Sequence, residues 1–136
     1  MLRAICNASM NAFENAEGEI VYTPLGRSMM IQRQITSSQT SPVFVRSNWA
    51  RLEKNAVYGL SIVDDDLDDC ASQTVIATLN DFTSDGMGMG GMSSKSEEIS
   101  LGGEDNLYGK WLKLSKQDEL VTCCQISEAT SRGGRY

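Results

Sequence analysis

Four cysteines, seven methionines and a run of aspartates are the side chains of this chain that could hold a metal or do redox chemistry. Histidine is absent from all 136 residues. That removes the commonest metal ligand and the commonest general base at neutral pH. Cys6, Cys70, Cys123 and Cys124 include no CxxC pair, which argues against a zinc ribbon or a thioredoxin-type site. Asp64, Asp65, Asp66, Asp68 and Asp69 crowd five carboxylates into six residues. Oxygen ligands at such spacing, Asp64, Asp66 and Asp68 for instance, suit Ca²⁺. The central Gly and terminal Glu of an EF-hand are missing, so a solvated acidic loop is the stronger reading. Met87, Met89 and Met92 form M-x-M-x-x-M on a Gly-rich stretch. Thioethers select Cu(I), so this stretch together with Cys123 and Cys124 is a candidate Cu(I)-handling set. The same methionines also suit an adaptable protein contact or a plain hairpin connection.

Bulk properties narrow the partners. A net charge of −6 with no basic cluster in the sequence argues against a nucleic-acid backbone. No apolar run approaches the roughly 20 residues that span a bilayer. The opening MLRAICNASMNAF shows no charged segment followed by a long apolar one, so no signal peptide is visible. No small-molecule substrate is evident. Hydrophobic residues at 40% and charged residues at 22% fit a single globular core.

The elements that must position these side chains read as strands. Residues 2–17 are small and polar with no clear period. Glu19 to Thr23 reads as a strand, Pro24-Leu25-Gly26-Arg27 as a turn, and Ser28 to Thr36 as a second strand with Met29, Ile31 and Ile35 on one face. Pro42 opens a third strand, PVFVRSNWARL, and Glu53-Lys54-Asn55 turns the chain. Val57 to Val63 is a fourth strand, and Thr74 to Phe82 alternates Val75, Ala77 and Leu79 on one face. Asp85-Gly86 starts a loop that continues through MGMGGMSSKSEE, low in complexity. Leu112 and Leu114 alternate with Lys113 and Ser115, between turns at Gly102-Gly103 and Gln117-Asp118. Helical periodicity is weak throughout. Seven or eight short strands at spacings of roughly 8–12 residues predict an all-β sandwich or barrel.

Three blocks carry a family resemblance. Glu98 to Cys124 reads I-S-L-x-G-acid-x-x-x-G-base-x-L-x-L-x-K. Ser41 to Leu52 has a P-V-x-V start and a final Leu. Tyr58-Gly59-Leu60-Ser61-Ile62-Val63 is followed by an acidic turn and Cys70-Ala71-Ser72. Together these resemble copper/zinc superoxide dismutase over about two-thirds of the chain. The resemblance implies a Greek-key β-sandwich or barrel of about eight antiparallel strands over 1–126, with shortened zinc and electrostatic loops. A loose tail over 127–136 follows. It also implies a lost metal site. The copper-ligand positions fall on Ser61, Val63 and Ser115, and too few residues follow Cys70 for a zinc loop. Serine and valine cannot hold redox copper, which needs imidazole or thiolate. No cofactor and no dismutase activity are expected.

The resemblance further implies a disulfide between Cys70 and Cys123. Cys6 and Cys124 remain as a second thiol pair, joined to each other or to another chain. Two readings of the first strand stay open: Arg3-Ala4-Ile5-Cys6, with residues 14–27 inserted, or Glu19 to Thr23, with 1–17 as an N-terminal extension. The function expected is a structural or protein-binding module, self-assembled or partnered, in an extracellular matrix, a shell or a virion. The alternative is the Cu(I)-handling protein.

Overall fold

The computed structural model describes residues 1–33, 41–64, 70 and 74–129. Every regular element among them is a strand. In chain order these are β1 (Leu2–Ala8), β2 (Ala12–Glu14), β3 (Ile20–Tyr22), β4 (Leu25–Gln32), β5 (Val43–Ala50), β6 (Val57–Val63), β7 (Val75–Thr78), β8 (Phe82–Thr83), β9 (Gly90–Ser96), β10 (Trp111–Lys116), β11 (Glu119–Gln125) and β12 (Ser127–Glu128). Twelve strands replace the expected eight, because four of them run for only two or three residues.

All pairings are antiparallel. One sheet has the order β12-β1-β4-β5-β9, and a second has β11-β10-β6-β7 with β8 also on β6. β2 and β3 pair only with each other. A single core draws side chains from both large sheets: Ala4, Met30, Val43 and Val45 from the first, Leu60, Ile62, Leu112 and Leu114 from the second. β5 shows why its residues fold this way. Val43, Val45, Ser47 and Trp49 are buried, and Phe44, Arg46 and Asn48 are exposed between them, the period-2 pattern of a strand with one wet face.

Trp49 sets the spacing of the first sheet. Its register partners on both neighbouring strands are glycines, Gly26 on β4 and Gly90 on β9. A Cβ at Gly26 would lie 2.2 Å from the Trp49 ring. The indole therefore lies where a neighbouring side chain would otherwise stand. Its Nε1 donates to Ser47 Oγ at 2.6 Å, and Ser47 Oγ is 2.7 Å from Ser28 Oγ, so a short buried polar chain runs beneath the ring.

The structure departs from the sequence expectations at several points. Of the two readings of the first strand, Arg3-Ala4-Ile5-Cys6 lies in β1, which pairs with β4 along its whole length, while Glu19 to Thr23 does not pair with Ser28 to Thr36, since Ile20–Tyr22 pairs with β2. The period was missed because the inward residues, Ala4, Cys6 and Ala8, are small. Leu25, Gly26 and Arg27 are strand, not turn. The inward face of β4 is Ser28, Met30 and Gln32; Met29 faces out, and Ile31, only half-buried, lies on that outer side with it, the reverse of the hydropathy reading. Ile35 lies outside the described residues. Gly90 to Ser96, read as loop, is β9. Ser127 and Glu128, read as tail, pair with β1, while 130–136 lie outside the described residues. On β7, Ala77 is buried but Val75 is exposed.

Buried Gln32 explains the β4 reversal. Its Nε2 donates to Ser41 O at 2.7 Å, and its Oε1 accepts Leu101 N at 2.7 Å. Both ends of the amide are hydrogen-bonded, which pins the segment before β10 to the end of the first sheet, where Ile99, Leu101 and Leu107 are buried.

Gly26→Ala should therefore destabilise the fold by about 1–3 kcal/mol through overpacking against Trp49, read as a lower urea midpoint at unchanged slope. Pairing it with Trp49→Leu should recover part of that loss.

Candidate functional site

The positions that the resemblance assigns to lost copper ligands lie on the outer side of the second sheet. On β6, Tyr58, Leu60 and Ile62 point into the core, which leaves Gly59, Ser61 and Val63 on the other side. β10 runs beside it with Lys113 opposite Ser61, Ser115 opposite Gly59 and Trp111 opposite Val63. Ser61 and Ser115 are half-buried, and Val63 is fully buried. The tight turn from β10 to β11 uses Gln117 and Asp118, both at positive φ, the mark of a type I′ hairpin.

Gly59, Ser61, Lys113, Ser115 and Asp118 line one groove of about 400 Å³. Ser61, Ser115, Lys113, Asp81 and Asp118 supply its polar wall, and Gly59 and Val75 part of the rest. Val63 is not part of that wall. With Thr78, which also lines it, the groove offers three hydroxyls, one ammonium and two carboxylates. Among the described residues, neither serine hydroxyl is hydrogen-bonded to a base. Lys113, Asp81 and Asp118 are missed by sequence reasoning; the alternation of Lys113 with Leu112 and Leu114 was the signal for the first of them.

The cysteines pair as Cys70–Cys123 and Cys6–Cys124, with Cα separations of 6.4 Å and 5.6 Å. Cys124 points inward to β1 of the opposite sheet, and Cys123 ties the segment after β6 to β11. The candidate Cu(I) set is therefore not brought together. Cys123 and Cys124 offer no thiolate. Met92 is buried in the core from β9, while Met87 and Met89 stand exposed on the preceding turn. Of the candidate Ca²⁺ ligands, Asp64 forms an ion pair with Lys110 at 3.1 Å, and Asp66 and Asp68 lie outside the described residues.

The methionine turn is built by Asp85. Its Oδ1 accepts Met87 N at 2.8 Å and Met89 N at 3.0 Å. Those two N–H groups hold the Asp85 carboxyl below its ordinary range. Elsewhere, Lys116 is pushed up by its hydrogen bond to Glu53. Burial raises the Tyr108 phenol, with the Glu128 charge adding to it; its hydroxyl donates to Arg3 O at 3.2 Å.

No protein-family model and no curated protein matches this chain. The arrangement is therefore read from its own chemistry.

A carboxyl whose folded pKa is depressed stabilises above its unfolded pKa and loses that contribution as pH falls through the folded value. The Asp85 turn should thus hold at neutral pH and loosen below the ordinary carboxylate range. Protection of the Met87 and Met89 amides, measured against their intrinsic exchange rate at each pH, should fall there, and Asp85→Ala should show the low protection already at pH 7.

Proposed function

We propose that this chain is a catalytically inactive, metal-free relative of copper/zinc superoxide dismutase, used as a structural or protein-binding module in an assembly. The observation that carries the reading is the chemistry around Ser61, Val63 and Ser115. Side chains that would face a metal are hydroxyl and aliphatic, and no imidazole exists anywhere in the chain to replace them.

The strand order supports a Greek-key form. β10 lies beside β6, β6 beside β8, and β8 against β9, so the fourth strand of the set returns beside the first. The two disulfides support an oxidising location, such as a matrix, a shell or a virion surface. A barrel that keeps its cross-links without a metal site is suited to presenting surfaces rather than turning over superoxide. The Cu(I)-handling reading finds no support in the geometry, because its thiols are oxidised and one of its thioethers faces the core.

Protein loaded with copper and zinc, then desalted, should retain no stoichiometric copper by elemental analysis and should show no dismutase turnover. Stoichiometric copper with turnover would defeat the reading.

A further inference from the structure

The outer face of the first sheet separates charge from apolar surface in an unusual way. Ile5 stands opposite Met29, and Ile31 opposite Phe44; Met29 and Ile31 are two residues apart on β4. These four form one apolar centre, with Met29 42% and Phe44 50% exposed. Around it stand Arg3 opposite Ile31, Arg46 opposite Met29, Lys95 opposite Phe44, and Arg27 further along β4. No outward strand position on this sheet is Asp or Glu, in a chain whose net charge is −6. Among the described residues, no ion pair engages any of the four cations. An apolar centre with aromatic and Met side chains inside an Arg-rich rim has the anatomy of a protein interface.

The complement is on the same chain. Among the described residues, the β2–β3 hairpin pairs with no other strand. It carries Glu14, Glu17 and Glu19 and no Lys or Arg. Phe13, Ile20 and Tyr22 are 49%, 59% and 48% exposed. Its form is fixed. Asn15 Oδ1 accepts Glu17 N and Glu19 N at 3.0 and 2.9 Å, and Asn11 and Thr23 close its base. Arg51 over the Tyr22 ring ties it to the body. A two-stranded hairpin with its apolar side chains in water is marginal by itself and gains from a surface to cover it.

We propose that the acidic, apolar β2–β3 hairpin of one copy docks on the cationic, apolar outer face of the first sheet of a second copy. This rests on the assembly reading above and names its contact. Each copy supplies one hairpin and one face, so the contact is head-to-tail and propagates into a ring or a filament. Carboxylates on the hairpin meet the Arg and Lys rim, and Phe13 or Ile20 covers the Met29 and Phe44 centre. A face-to-face dimer would instead oppose like charges.

The test uses two exposed-site variants of the full chain in sedimentation velocity, with intact disulfides and unchanged melting as folding controls. The face variant is Met29→Glu with Phe44→Glu; the hairpin variant is Phe13→Ser with Ile20→Ser. The unaltered protein should associate beyond a monomer, with a dissociation constant that rises roughly tenfold or more between low and high salt. Each variant alone should be monomeric. Mixed together they should form a capped one-to-one dimer, since one keeps the hairpin and the other keeps the face. Unaltered protein that associates while both variants associate equally well overturns the docking and leaves the assembly reading standing. Unaltered protein that stays monomeric at all concentrations overturns the docking and leaves assembly to a foreign partner. Copper-dependent turnover would remove the assembly reading itself.

Discussion

Two consecutive residues on one strand hold this structure together in opposite directions. Side chains alternate across a strand, so Cys124 enters the core and reaches Cys6 on the facing sheet, while Cys123 points away from it and captures Cys70. The inner bond joins residues 118 apart in sequence, nearly the ends of the chain, and so fastens β1 to β11 across the sandwich. The outer bond closes a loop of 53 residues. In the chain-entropy model each contributes about 4–5 kcal/mol, a large share of the 5–15 kcal/mol typical of a domain. A one-residue slip of β11 would reverse both cysteines at once, so the pair also fixes register.

Two disulfides and a core filled by Leu, Ile, Val and Met hold the two sheets together. That frees the outer surfaces. The second sheet presents a groove of hydroxyls and mixed charges. The first sheet presents a cationic face, and an acidic hairpin projects from the loop between β1 and β4. Anionic and cationic apolar surfaces on one molecule are chemically matched to each other, and joining them within one copy is prevented by the hairpin's attachment at Arg51 and its own closed base.

The sequence was most legible where strands are ordinary. β5, β6 and β10 could be read from alternation because their inward residues are large and apolar and their turns carry clear signals at Glu53-Lys54-Asn55 and Gln117-Asp118. It was least legible where burial does not follow hydropathy. β1 buries Ala and Cys, too small to show a period. β4 buries Ser28 and Gln32 because Ser47, Ser41 and Leu101 satisfy them, and it exposes Met29 at the surface proposed for docking. β9 was hidden by glycine and serine, since only Met92 marks its inner face and a Cβ at Gly90 would crowd the Phe82 ring. Of the candidate site, Ser61, Val63 and Ser115 were grouped only through the family resemblance; the pairing of β6 with β10, which carry them, was not legible. Lys113, Asp81 and Asp118 were not legible either, because their meeting depends on how β6, β7 and the β10–β11 turn come together.

The central claim is that covalent links and core packing, not a bound metal, maintain this barrel. Scanning calorimetry of the unaltered protein in buffer, with a strong chelator, and with a strong thiol reductant addresses it directly. The account predicts a melting temperature unmoved by the chelator and lowered by about 10 °C or more by the reductant. A large drop on chelation, or no change on reduction, would contradict it.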